Sequence, residues 1–275
     1  GPNEYRLPIF INGRAGSGKS TILFYLFAEY CYRLLCPKNS YQLEELGLNG
    51  KPLFLTYNQE LLKVAKDRVK RMLKTRLLIN DPQQYDELDE QLTPMLKPFR
   101  EFLRELLPDN EEHEKFMDDS KRITFHEFKQ LFSRQFHNQE AKKYSPDLCW
   151  YVIRTYIKGY SLDGYLDLEQ YDTVFQKDRI IPSEDFEKIS SMVWKWYSRY
   201  IEDNGLWDDQ DLIRAVLDNG VDPSEDYTAI FCDEAQDFTK LELHFILQSS
   251  VFSKFDLSNY NQAVSLPFAF AGDPL

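Results

Sequence analysis

Apolar positions along the chain follow two rhythms. Short unbroken runs occur at Pro8-Ile9-Phe10-Ile11, Leu53-Phe54-Leu55-Thr56, Thr228-Ala229-Ile230-Phe231-Cys232 and Leu266-Pro267-Phe268-Ala269-Phe270-Ala271. Runs of this length, closed by turn-forming or acidic residues, predict strands buried on both faces. Between them the spacing becomes helical. Thr21 to Cys36 is apolar nearly all round, which predicts a helix packed between a sheet and other elements, ended by Pro37. Leu61, Leu62, Val64, Ala65, Val69 and Met72, with Lys and Arg between them, predict a second helix. Residues 123–137 predict a short strand and helix, and residues 138–217 read as mostly helical and rich in aromatics. Strands alternating with helices predict a parallel sheet covered on both faces, an α/β fold into which the helical block is inserted.

Residues 75–122 break that rhythm. They hold Pro82, Pro94, Pro98 and Pro108 and many acids, among them Asp86, Glu87, Asp89, Glu90, Glu111, Glu112 and Glu114. This predicts short helices in an acidic surface insertion, either a solvated face or a docking face for a protein partner.

Composition narrows the classes. The 275 residues are 43% hydrophobic, enough for a sizeable core in one domain or two. The net charge of −12 argues against a dedicated nucleic-acid binder with a basic face; such binding needs local basic patches or a basic partner domain. Cys31, Cys36, Cys149 and Cys232 sit in apolar runs without metal-like spacing and read as reduced, buried thiols of an intracellular protein, cytoplasmic or nuclear. His113, His126, His137 and His244 are scattered and offer no zinc spacing. The longest apolar run, Ile22 to Cys36, is broken by Glu29 and Arg33 and is too short to span a bilayer, so no membrane partner is expected. The leading Gly1-Pro2 reads as the scar of a protease cut, which suggests an excised fragment.

The strongest chemical signal is Gly13-Arg14-Ala15-Gly16-Ser17-Gly18-Lys19-Ser20, followed by Thr21. It fits G-x-x-x-x-G-K-[ST] at every fixed position, between a predicted strand and a predicted helix. Gly13, Gly16, Ser17 and Gly18 let backbone N–H groups curl round an anion, and the helix N-terminus adds partial positive charge. Lys19 then reaches the outer phosphates of a nucleotide and the Ser20 hydroxyl holds Mg²⁺. Hydrolysis also needs a carboxylate on the metal and a group that positions water. Asp233 and Glu234 end an apolar strand, and ligands of open parallel sheets bind at the carboxyl ends of strands. We therefore assign Asp233 to Mg²⁺ and Glu234 to the attacking water as general base.

Asp233-Glu234-Ala235-Gln236-Asp237 resembles motif II of the UvrD/Rep group of superfamily 1 helicases, ATP-driven motors on single-stranded DNA. Other stretches are similar to that family in the same order. Leu55-Thr56-Tyr57-Asn58-Gln59-Glu60, running into Lys66-Asp67-Arg68-Val69, resembles motif Ia, with Tyr57 in place of a phenylalanine and Gln59-Glu60 in place of Asn-Lys. Thr124-Phe125-His126 resembles motif Ib, Trp207 to Ile213 the acidic stretch where the chain re-enters the motor domain, and Ala271-Gly272-Asp273-Pro274 the opening of motif III.

The resemblance implies a RecA-like P-loop ATPase domain (1–74, 123–137 and 215–275), with 75–122 as the acidic insertion and 138–214 as an inserted helical subdomain. It implies ATP and Mg²⁺ as ligands, with Lys19, Glu234 and Gln236 catalytic and Gln236 coupling phosphate state to movement. Thr56, Tyr57, Thr124 and His126 fall where the family touches the nucleic-acid strand. Tyr57 has an independent case, since an aromatic face stacks a base for about 1–3 kcal/mol, but an aromatic just after a strand also packs in cores. The resemblance further implies a second, C-terminal motor domain carrying arginines worth about 10³–10⁵ in rate. The expectation for this chain alone is weak nucleotide binding and slow or no hydrolysis.

Three readings stay open. The leading one is the motor part of a helicase or translocase. A second is an ATP-dependent switch with helicase ancestry and no unwinding. A third, an unrelated phosphate-loop enzyme such as a small-molecule kinase, needs an acceptor pocket and a lid that the sequence does not signal. Trp194 to Tyr200 interleaves rings with Lys195 and Arg199 and invites a strand-binding reading. Yet Val193, Trp196, Tyr197 and Tyr200 also fall at i, i+3, i+4 and i+7, the pattern of a packed helical face. Ile157-Lys158-Gly159 reads as a helix ending at a glycine.

Overall fold

The computed structural model describes residues 9–14, 16–35, 50–80, 87–136, 143–224, 226–250 and 268–273. Five strands form one all-parallel sheet: β1 (Ile9–Asn12), β2 (Lys51–Thr56), β3 (Leu96–Pro98), β4 (Tyr227–Cys232) and β5 (Phe268–Gly272). Their order is β1-β5-β4-β2-β3. The fold class is α/β, as the alternation of elements requires.

Four of these strands are the apolar runs of the sequence; Pro8, Leu266 and Pro267, at the starts of two runs, lie outside the described residues. β3 was not foreseen. It has three residues, pairs Leu96 with Phe54 and ends on Pro98 at the sheet edge, where a missing N–H breaks no ladder. So short a segment carries neither alternation nor an apolar run.

The longer helices beside the sheet are α1 (Lys19–Leu35), α2 (Gln59–Asn80) and α3 (Phe99–Leu106). Leu23, Phe24, Phe27 and Cys31 of α1 and Ala65, Val69, Leu73 and Leu77 of α2 are buried with Phe54, Ala229, Phe231, Ala269 and Ala271 of the strands. Phe27 meets Phe54 and Phe231 at 5.5 and 5.3 Å between ring centroids. Each large apolar side chain so buried contributes about 1.5–3 kcal/mol. α1 is not covered all round as its composition suggested, because Ile22 and Tyr25 are exposed.

Leu88, Leu92, Met95 and Leu96 join the same core. The first part of the 75–122 segment is therefore no surface insertion. Its acids Asp89 and Glu90 are exposed while the leucines flanking them face inward. An acidic count per segment hides that division.

The chain divides into two compact units, Gly1–Glu105 with Asp222–Phe238 and His244–Leu275, and Leu106–Val221 with Thr239–Leu243. Residues 123–136 and 215–221, grouped with the sheet from the sequence, fall in the second unit. Ile123 donates its N–H to Trp207 O at 2.7 Å, and the strand expected there amounts to one isolated bridge between Arg122 and Trp207. The helix after it, α4 (Phe125–Gln135), buries Phe128 against Trp150 and Tyr197. The second unit also holds α5 (Pro146–Val152), α6 (Lys195–Asp203), α7 (Asp209–Asp218) and two π-helical stretches, Ile153–Lys158 and Ile189–Trp194. A last helix, α8 (Lys240–Gln248), begins in the second unit and ends in the first. Among the described residues no helix is long and apolar enough to cross a membrane.

Candidate phosphate-binding site

Parallel pairing brings three strand ends together. The β1–β5 register runs from Ile9↔Ala269 to Asn12↔Gly272, so the next residues, Gly13 and Asp273, leave the sheet side by side. The β4–β5 register ends at Cys232↔Phe270, which sets Asp233 level with Ala271. The glycine loop and the acidic pair thus meet at the carboxyl edge of one sheet.

The loop has the geometry its composition predicts. Gly16 and Gly18 take φ of 78° and 85°, left-handed values that favour glycine. A Cβ on Gly13 would lie 2.5 Å from Ser17 Oγ, a contact that the serine side chain would have to turn away to relieve. Ser17 N–H donates to Arg14 O at 3.0 Å. Ala15 lies outside the described residues. α1 starts at Lys19 with no acid in its first turn, so none of its own residues offsets its N-terminal partial charge. Gly16 to Thr21, Phe24, Leu61, Val64, Arg68, Glu234 and Asp273 line an open pocket of about 340 Å³.

Asp233 is 1% exposed. Its Oδ1 accepts the Glu234 N–H at 3.0 Å, while its buried Oδ2 has no hydrogen-bond partner. Burial pushes its carboxyl above the usual range; the Ser20 hydroxyl and the Glu234 N–H pull it back. A buried carboxylate oxygen left unsatisfied is costly unless something else completes it. A carboxylate with one oxygen unsatisfied and a neighbouring serine hydroxyl are donor types that Mg²⁺ takes, with the rest from phosphate and water. No group of three or more His, Cys, Asp or Glu side chains suited to a metal occurs among the described residues, so an all-protein metal cage is not offered there.

Glu234 follows in the left-handed region, φ 53° and ψ 47°, the one non-glycine residue with positive φ among those described. Gln236 Nε2 donates to Glu234 Oε2 at 2.6 Å, and Gln236 Oε1 accepts the Asp273 N–H at 3.1 Å. A Cβ on Gly272 would stand 2.7 Å from Gln236 Oε1, so this glycine makes room for the amide. Lys19 is buried, and its Nζ donates to Gly13 O, Arg14 O and Asp273 Oδ1 at 2.7, 3.1 and 2.6 Å.

The four candidate strand-contact residues divide between the units. Thr56 ends β2, is buried, and its hydroxyl accepts the Asn58 N–H at 3.1 Å; Asn58 Oδ1 in turn accepts the Leu61 N–H near the start of α2. Tyr57 is half-buried against Phe99 and Phe238 at 5.2 and 5.3 Å. Thr124 caps α4 in a reciprocal capping box with Glu127. His126 is exposed and its Nε2 lies 2.8 Å from Gln130 Nε2. All four have local structural partners.

Two residues without a role in the sequence reading enter the site. Arg68 of α2 reaches back to donate to Thr21 Oγ1 at 2.9 Å, with its guanidinium 5.9 Å from the Phe24 ring. Asp273 supplies the partner of Lys19. Neither could be found from spacing, because each reaches the loop through packing or strand pairing.

The stretch Trp207–Ile213 belongs to the helical unit. Asp208 caps α7, and Lys158, which is 1% exposed, donates to Asp208 Oδ2 at 2.6 Å and lies 2.7 Å from Asp211 Oδ1. Burial opposes the ammonium, but the two carboxylates outweigh it and hold its pKa up. Gly159 has a negative φ; it is glycine because a Cβ would fall 2.3 Å from Arg154 O. Val193 and Tyr197 are buried, and Trp196 packs on Phe136 at 5.1 Å, so the segment's rings serve the helical core.

Cys31, Cys149 and Cys232 are buried and unpaired; Cys36 and His137 lie outside the described residues. The chain matches no protein-family model and no curated protein.

Proposed function

We propose that this chain is the ATP-binding motor part of a helicase or translocase, with a RecA-like sheet unit that hydrolyses ATP to drive movement on single-stranded nucleic acid, DNA in the first instance. The observation that carries the nucleotide reading is the parallel register that brings the glycine loop after β1 and the buried Asp233 after β4, with its unsatisfied Oδ2, to the same edge of one sheet. Helicase ancestry rests on the motif resemblances.

In this reading Gly13, Gly16, Ser17 and Gly18 present N–H groups to the phosphates, with Thr21 in the first turn behind them. Lys19 supplies the charge for the outer phosphates. Ser20 and Asp233 would hold Mg²⁺, which would supply charge neutralisation at the phosphoryl oxygens. Glu234 orients and deprotonates water, and Gln236 tethers its carboxylate to the end of β5.

ATP turnover by the full-length protein with and without single-stranded DNA or RNA tests it. Strong stimulation supports the motor, and loss of turnover in Lys19→Ala and Glu234→Gln ties it to this site. One observation favours a second reading, an ATP-dependent switch without unwinding. Thr56 and Thr124 spend their hydroxyls on local turns and caps, and Gln59-Glu60 replaces a cation-bearing pair with a Glu60–Lys63 ion pair. Turnover that ignores nucleic acid supports the switch.

A further inference from the structure

The Lys19 ammonium has three N–H bonds, and the protein takes all three. Two go to carbonyls of the loop itself, Gly13 and Arg14. The third goes to a carboxylate from the far end of the chain, Asp273 Oδ1 at 2.6 Å, while the Lys19 side chain is 8% exposed and that of Asp273 45% exposed. A charge-assisted bond to a buried ammonium is among the stronger contacts a protein makes. Any phosphate that uses Lys19 has to take the place of one of these acceptors. The carbonyls are fixed by the loop; the carboxylate is the acceptor of the same charge and chemistry as a phosphate oxygen, and its exposure leaves it room to swing out.

We propose that Asp273 is an anionic latch on the phosphate loop, an internal competitor that occupies Lys19 and that the outer phosphates of a nucleotide displace. The inference rests on the nucleotide reading above. The latch belongs to the sheet: pairing runs to Asn12↔Gly272, so Gly13 and Asp273 emerge as neighbours and the carboxylate needs no loop closure to arrive. Its backbone is held independently of its side chain, because the Asp273 N–H bonds Gln236 Oε1 over a glycine that leaves space for it. The carboxylate can therefore depart while residue 273 stays in place.

The test is binding to the 275-residue chain without Mg²⁺, by titration with ADP, inorganic pyrophosphate and adenosine, for the native chain, Asp273→Asn and Asp67→Asn, an exposed acid of α2 next to Arg68. The latch predicts about tenfold tighter binding of ADP and pyrophosphate by Asp273→Asn, less than twofold change in Asp67→Asn, and adenosine unmoved in both. Equal gains in the two variants show a general field effect and overturn the latch, as does an unchanged or weakened Asp273→Asn. If native chain and variant bind ADP and adenosine but neither binds pyrophosphate, Lys19 takes no phosphate and the latch falls alone. If neither chain binds any of the three at millimolar concentration, the nucleotide reading fails and the latch with it.

Discussion

Glu234 offers a sharp test, because stability and chemistry should move in opposite directions there. Its left-handed backbone, φ 53° and ψ 47°, costs an L-residue about 1–2 kcal/mol relative to glycine. Glycine returns part of that through the greater freedom of its unfolded chain, about 0.4–1 kcal/mol. Comparing Glu234→Gly with Glu234→Ala cancels the lost side chain and its bond to Gln236. The glycine variant should then be more stable than the alanine variant by about 0.5–1 kcal/mol, a rise in Tm of about 1–4 °C for a chain of this size. Both variants should lose ATP turnover, since neither retains the carboxylate. Differential scanning calorimetry gives the first quantity and phosphate release by the full-length protein the second. A glycine variant no more stable than alanine would remove the backbone argument. Retained turnover in either variant would remove Glu234 as the general base. Both results together would mean that the residue is an ordinary turn acid.

Other consequences follow from the buried groups. Lys158→Met leaves Asp208 and Asp211 without their buried cation and should cost about 3–5 kcal/mol in urea unfolding, with part recovered in Lys158→Met/Asp208→Asn. Gly159→Ala drives a Cβ toward Arg154 O and should destabilise by about 1–3 kcal/mol or more, read as a lowered urea midpoint at unchanged slope. Burial pushes Tyr156 and Tyr227 up to about 12, while the unfolded chain releases these protons near 10. The folded state keeps protons that the unfolded state gives up, so these two tyrosines should add nothing to the pH dependence below about pH 10 and a loss of stability from about 10 to 12. Urea midpoints measured across that window should fall with pH, and Tyr156→Phe should make the decline shallower.

What the sequence determined by itself was local. Unbroken apolar runs marked four of the five strands, helical spacing marked α1 and α2, and the glycine pattern fixed the loop's conformation, because only glycine takes the φ of positions 16 and 18 without strain. Asp233 and Glu234 were legible from their place at a strand's end. The tertiary structure decided everything that depends on which strand lies beside which. Insertion of β5 between β1 and β4 puts Asp273 next to Gly13, and no spacing rule connects positions so far apart. Packing of α2 on α1 aims Arg68 at Thr21. The division into units followed the same logic. Leu88, Leu92 and Met95 join the sheet's core despite their acidic neighbours, and Phe128 draws residues 123–136 to the helical unit. A side chain's neighbours along the chain set its conformational options, whereas burial is settled by surfaces that meet only after the sheet has formed.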